Sequence, residues 1–336
     1  MNVRRRIAIL VALILSSTTL FALNEHTDIL RLHLMDKVHV DNEPTLDVRL
    51  PIKGGPSGSI LFRRTSDEFY PVVISLRLDG KTGMSYRMSL VPGLQFSQII
   101  DFGSDGNDTY LLVKHKNEQN ESEYYIVSFS DDGSFESVKK LRIDWIPWQL
   151  GIFPDGNILL SGETRDGHSV IGIFDQDGGL LFRLRLRHDV SFNDSFSSFS
   201  TAETNRLVLQ GSIIDRAGDN DLFLVRSTGP IFLIHSDGTY EIVSLQPPEG
   251  GNLVSVKVTN NRVAALYLLL DSAEPQLRSE RVSIIDIATK KRIREFAIPK
   301  DIGLVFASYD SQRFLFLTGP QPPNDDSVVI TIMGPP

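Results

Sequence analysis

From residue 29 onward, apolar residues alternate with polar ones or run for four to seven positions between Gly, Asp, Asn and Pro. That is strand patterning, and helical spacing is nearly absent. The turns between the strands fall into two series. One holds Ser104-Asp105-Gly106-Asn107, Pro154-Asp155-Gly156-Asn157, Ala202-Glu203-Thr204-Asn205, Thr259-Asn260-Asn261-Arg262 and Tyr309-Asp310-Ser311-Gln312. Their second residues are spaced by 50, 48, 57 and 50 positions. The other holds Leu78-Asp79-Gly80, Asp132-Gly133, Asp177-Gly178, Asp237-Gly238 and Ala288-Thr289. Gly and Asn tolerate positive φ, so such turns close hairpins. A single turn of this kind says little. Two interleaved series with a shared period near 50 predict a repeating four-stranded unit, the mark of a β-propeller.

The third unit shows the pattern most plainly. Trp148–Phe153 reads as inner strand A, Asn157–Glu163 as B, Ser169–Asp175 as C and Leu180–Arg187 as outer strand D. In the same register the units fall near 46–91, 94–144, 147–188, 195–246, 250–299 and 302–333. The sixth ends at Val328–Met333 with no outer strand, and a closed ring must remove that edge. Residues 29–34, Ile-Leu-Arg-Leu-His-Leu, resemble the outer strand of the third unit and are expected to pair with 328–333. Thr45–Leu50 is the alternative closing strand, but its use would leave the first unit without an inner strand. The expectation is an all-β, six-bladed propeller with four antiparallel strands per blade, its last blade closed by an N-terminal strand.

Ahead of this domain, residues 1–22 combine Arg4, Arg5 and Arg6, an unbroken apolar run from Ile7 to Leu15, and small residues ending at Ala22. This is the three-part plan of a secretory signal. The run is short for a span of about 20 residues. A cleaved signal is the first reading and an uncleaved anchor over residues 7–22 the second. Either way the body is expected outside the cytoplasm, periplasmic or secreted.

Composition narrows the chemistry. Cysteine is absent, which removes disulfides, thiolate metal sites and thiol catalysis. The formal charge is −8, and loss of residues 1–22 leaves 31 basic residues against 42 acidic ones. Non-specific nucleic-acid binding wants a basic surface, so no nucleic-acid partner is expected.

The layout resembles the six-bladed propellers of the NHL-repeat, TolB-like and SMP-30/gluconolactonase group. The residues that carry the resemblance are the repeated strand–Asp-Gly–strand hairpins, above all 170–184 (VIGIFDQDGGLLFRL) and 153–162 (FPDGNILLSG). In such propellers, sites lie on the face bearing the D-to-A and B-to-C connections. Read in register, that face here carries Trp145, Trp148, His168, Phe192 and a loop over 215–221. The aromatic residues are candidates to stack a sugar ring or a peptide side chain; the ordinary alternative is that they pack between blades. Asp215, Asp219 and Asp221 are the densest acidic cluster, with oxygen ligands of the kind calcium takes but without the spacing of an EF-hand. No HxH or HxxxH pair and no G-x-S-x-G elbow occurs.

The leading functional reading is therefore an exported binding or scaffold propeller with a protein, peptide or saccharide ligand on the loop face, no cofactor, and membrane contact only through an uncleaved anchor. The resemblance implies an alternative, a metal-dependent hydrolase or lactonase of the SMP-30 type. The side chains lining the central channel separate the two. Three or four convergent acidic, amide or imidazole groups would favour the enzyme, and an apolar or mixed plug the binding protein.

Overall fold

The computed structural model describes residues 29–40, 52–63, 71–184, 199–201, 207–209, 212–218, 220–226, 230–245, 247–249, 251–259, 261–270, 278–299, 305–310, 312–318 and 328–336. Two strands come first, β1 (Ile29–Arg31) and β2 (His33–His39). Blade 1 is built from β3 (Lys53–Gly54), β4 (Ile60–Arg63), β5 (Val72–Leu76) and β6 (Thr82–Arg87). Blade 2 holds β7 (Gln98–Ser104), β8 (Thr109–Lys116), β9 (Ser122–Phe129) and β10 (Phe135–Lys140). Blade 3 holds β11 (Ile146–Ile152), β12 (Ile158–Glu163), β13 (Ser169–Phe174) and β14 (Leu180–Leu184). A separate hairpin comes next, β15 (Phe199–Thr201) with β16 (Leu207–Leu209). Blade 4 is β17 (Ser212–Arg216), β18 (Leu222–Arg226), β19 (Ile231–Ile234) and β20 (Tyr240–Val243). Blade 5 is β21 (Gly251–Thr259), β22 (Arg262–Leu270), β23 (Arg278–Asp286) and β24 (Lys291–Ala297). Blade 6 is β25 (Val305–Tyr309), β26 (Phe314–Thr318) and β27 (Val329–Gly334), with β2 as its outer strand. Among the described residues, the helical segments are two short 3₁₀ turns, Pro56–Gly58 and Met88–Leu90. None is long and apolar enough to cross a membrane.

Local chemistry explains the hairpins. In the C-to-D turns Gly80, Gly133, Gly178 and Gly238 hold φ between 81° and 84°, which a Cβ would oppose. A carboxylate in each turn accepts a backbone N–H two residues on: Asp79 from Lys81, Asp132 from Ser134, Asp175 from Asp177 and Asp237 from Thr239. The A-to-B turns use the same device at Asp105, Asp155 and Asp310. The inner strands of blades 2, 3, 5 and 6 share a register shift at Ile99/Asp101, Pro147/Gln149, Leu253/Ser255 and Phe306/Ser308. Such a bulge bends the strand and re-aims the side chains beyond it.

Six apolar cores close the ring, one in each gap between neighbouring blades. Leu61, Phe102 and Phe129 pack blade 1 on blade 2, and Phe62, Leu317 and Ile330 pack blade 6 back on blade 1. The N-terminal segment fastens two of these gaps. β1 lies parallel to β24, with Ile29 opposite Glu295 and Arg31 opposite Ala297. The chain then crosses to blade 6, where β2 runs antiparallel to β27 from His33–Gly334 to His39–Val329. Leu32, at the crossing, is buried in the core between blades 5 and 6, and Val40 in that between 6 and 1.

Two expectations shift. Residues 33–39 close the last blade, while 29–31 extend blade 5, because the segment spans two blades rather than lying along one. In blade 4 the inner strand is Ser212–Arg216, so the A-to-B turn is at 217–221 and not at 202–205. The 215–221 segment is consequently not a B-to-C loop. Residues 1–22, Thr45–Leu50, Phe192 and Asp219 lie outside the described residues.

Candidate functional site

The axis is occupied by charge. Each of four inner strands carries one buried ionisable residue beside apolar neighbours: Lys53 after Ile52, Asp101 before Phe102, Asp215 after Ile214, and Lys257 between Val256 and Val258. Lys53 and Asp101 are 1% and 4% exposed, and Lys53 Nζ lies 2.5 Å from Asp101 Oδ2. The same ammonium donates to the Leu150 carbonyl at 2.9 Å, and the Leu150 N–H donates to Asp101 Oδ2 at 2.8 Å. Blades 1, 2 and 3 are thereby joined at one point. On the other side, Lys257 Nζ stands 3.3 Å from Asp215 Oδ2 and donates to the Ile52 carbonyl at 2.6 Å. Asp215 in turn accepts the Gly54 N–H at 3.1 Å and the Arg216 N–H at 2.9 Å. Blades 4, 5 and 1 meet there.

Burial pushes the Asp101 carboxyl up, against the pull of Lys53 and its hydrogen bonds. Burial lowers the Lys257 ammonium, against the attraction of Asp215, and the neighbouring charge of Lys53 adds to the lowering. The plug is thus two cations and two anions, each carboxylate spent on an ammonium and on backbone N–H groups. Among the described residues no three His, Cys, Asp or Glu side chains converge as metal ligands.

Among the described residues, those expected to bind a ligand lie in different places. Trp145 is 3% exposed and sits in the core between blades 2 and 3, its ring 6.3 Å from that of Phe174. Gly162 admits it, since a Cβ there would come within 2.6 Å of the indole. Trp148 is half-buried at the blade 3 bulge, its Nε1 sealed from solvent without a hydrogen-bond partner. His168 is exposed in the B-to-C loop of blade 3, where its backbone N–H donates to Thr164 Oγ1. Asp215 belongs to the axis. Asp221 is on the opposite face, its Oδ1 2.6 Å from His235 Nδ1, linking the A-to-B and C-to-D turns of blade 4. Asp215 and Asp221 therefore do not share a site. Lys53, Asp101 and Lys257 were missed, although a lone charge inside an apolar inner strand was the signal that marked them.

Two concavities open on the face of the A-to-B and C-to-D turns. One, of about 560 Å³, lies against blade 1 and is lined by Pro56, Ser59, Arg77, Leu78, Met84 and Asp131 among others. The second, of about 280 Å³, lies between blades 2 and 3 and includes Asp105, Tyr110, Glu136, Asp155 and Gln176. There the Tyr110 hydroxyl donates to Asp105 Oδ2 at 3.1 Å, and burial with that carboxylate drives its pKa upward.

The ring of four-stranded blades defines the class: the chain is a six-bladed β-propeller. No protein-family model matches it, and no curated protein does. Solved structures similar to it include virginiamycin B lyase from Staphylococcus aureus, at 14% identity and a TM-score of 0.43 over 90% of this chain and 99% of that one. The β-propeller domain of the Trilobed protease from Pyrococcus furiosus matches at 14% identity and a TM-score of 0.39, over 87% and 80% of the two chains. YCF48, in a structure bound to D1 peptide, matches at 13% identity and a TM-score of 0.40, over 90% and 99%.

Proposed function

We propose that this protein is an exported, non-catalytic binding propeller of the NHL-repeat and TolB-like type. One observation carries the choice of binding over hydrolysis: the axis is a self-neutralising plug of Lys53, Asp101, Asp215 and Lys257. A lactonase of the SMP-30 type needs free carboxylates converging on a metal in that channel, and here an ammonium stands against each of the two. Export rests on the arginine-led apolar segment at residues 1–22, and the repeat type on the strand–Asp-Gly–strand hairpins.

The test uses the purified protein with a panel of lactones, with and without added calcium or zinc, alongside calorimetric metal titration. The expected result is no metal-dependent turnover and no stoichiometric metal uptake. Metal-dependent turnover that disappears in a folded Asp215→Asn variant would replace the reading with the hydrolase. Amino-terminal sequencing of protein from the extracytoplasmic fraction should begin at residue 23. Recovery in the cytoplasm alone would remove the export half of the proposal.

A further inference from the structure

The groove against blade 1 is built from groups that the axis does not use. Its volume of about 560 Å³ falls within the roughly 300–1,000 Å³ of small-ligand sites. Pro56, Leu78 and Met84 supply apolar wall, and the Met84 side chain is 43% exposed. Ser59 lines the same groove, and its hydroxyl is sealed from solvent with no hydrogen-bond partner in the fold. Three charged side chains complete the lining: Arg77, Asp79 and Asp131. Arg77 Nη2 lies 3.2 Å from Asp79 Oδ2, so these two answer one another. Asp131, exposed on the C-to-D turn of blade 2, then gives the groove a net negative charge. The surroundings have the same sign. After burial, the largest cause, Glu136, Asp105 and Asp131 push the nearby Asp108 carboxyl up.

An anion would meet repulsion from Asp131, and a purely apolar group would leave Asp131 without a counter-ion. We propose that this groove binds a cationic head on an aliphatic stem, the chemistry of an arginine or lysine side chain. The stem packs on Pro56, Leu78 and Met84, and the head takes Asp131 as its counter-ion. Long basic side chains have this division into an apolar stem and a charged tip. The proposal rests on the binding reading above and names the ligand chemistry for it.

The chain's five methionines supply the probe. In protein labelled with ¹³C at the methionine methyls, Met84 reports on the groove, and Met35, 54% exposed on the N-terminal strand, serves as control. Acetyl-Gly-Arg-Gly-amide should shift the Met84 methyl in a saturable way and leave Met35 in place. The norleucine tripeptide, which has the stem without the charge, should bind more weakly, and the glutamate tripeptide should not bind. Agmatine presents the same guanidinium on a free small molecule, so the tighter of agmatine and the arginine tripeptide identifies the source. Asp131→Asn, on an exposed turn, should weaken the arginine tripeptide by about fivefold, the loss of a partly exposed charge pair.

An unmoved Met84 methyl overturns the proposal. So does an equal response to the glutamate tripeptide, or an affinity unchanged in Asp131→Asn. The lactone and metal assays report on the axis alone. A silent groove without turnover sinks only this inference, whereas turnover sinks the binding reading whatever the titration shows.

Discussion

Replacing Lys53 with methionine tests the axial plug most directly. The substitution keeps an unbranched apolar stem and deletes the ammonium, leaving Asp101 4% exposed without its counter-charge and the Leu150 carbonyl without its donor. Breaking a buried pair by removing one partner costs about 3–5 kcal/mol, because the remaining charge stays desolvated. In urea, with m near 3 kcal/mol/M, that is a fall in midpoint of about 1–1.7 M. The emission of Trp145 and Trp148 reports the unfolding, since Trp145 is packed against Phe174 in the native state. The double variant Lys53→Met with Asp101→Leu removes both charges and should recover at least about 1 kcal/mol of the loss, leaving mainly the cost of the unpaired Leu150 N–H and carbonyl. The sign of the pH effect is fixed as well. Asp101 already has its pKa raised by burial, so without Lys53 the folded state takes up a proton that the unfolded chain does not. The penalty is therefore full above the folded pKa and shrinks as pH falls through it. A midpoint within about 0.3 M of wild type at pH 7, roughly 1 kcal/mol at the same m, would refute the reasoning. A double variant at least as unstable as the sum of its parts would do the same.

Leu32→Ala removes a 1% exposed side chain from the core between blades 5 and 6 and should cost about 2–5 kcal/mol, read as a lower melting temperature; no change would mean that the N-terminal crossing does not fasten the ring. Gly162→Ala places a Cβ 2.0 Å from the Ile146 carbonyl oxygen and 2.6 Å from the Trp145 ring, so it should destabilise by at least about 1–3 kcal/mol and alter tryptophan emission. The carboxyls of Asp132, Asp237 and Asp286 are held below the usual range by hydrogen bonds from turn residues, and Asp310 likewise against opposing burial. Glu123 is drawn down to about 2, first by Lys140 and then by Tyr125. Groups with depressed folded pKa values stabilise above their unfolded pKa and lose that contribution as pH falls through the folded one. Urea midpoints should therefore decline from about pH 5 toward pH 2, and Glu123→Gln should flatten part of that slope; an unchanged slope would contradict its assignment.

The architecture was legible because hairpins are local. Asp-Gly and Asp-x-Asn turns state their own backbone geometry, and the positive φ at Gly80, Gly133, Gly178 and Gly238 is met where their spacing placed it. Alternation did the same for the strands, since period 2 needs only one buried face on each side of a blade. What local chemistry does not state is which hairpin supplies an inner strand. Ala202–Asn205 reads as the A-to-B turn and 215–221 as a B-to-C loop, yet 217–221 is the A-to-B turn of blade 4 because Asp215 reaches the axis and is held there by Lys257 and Gly54. Those partners are 42 and 161 residues away, so no window of sequence contains them. Lys53 and Asp101 stand out singly as lone charges beside apolar neighbours, but they are 48 residues apart and only the ring brings them within 2.5 Å. Trp145 shows the converse: an aromatic in a connection suggested a ligand, but packing against Phe174 and Gly162 gives it to the core. Sequence alone thus determined the repeat, the number of blades and most of the hairpin turns, all set within a few residues, but not the inner strand of blade 4 or the extra strands β1, β15 and β16. Only the closed ring decided the axial plug, the crossing of the N-terminal segment between two blades and the placement of the grooves, since each depends on side chains that meet only after the first blade closes on the last.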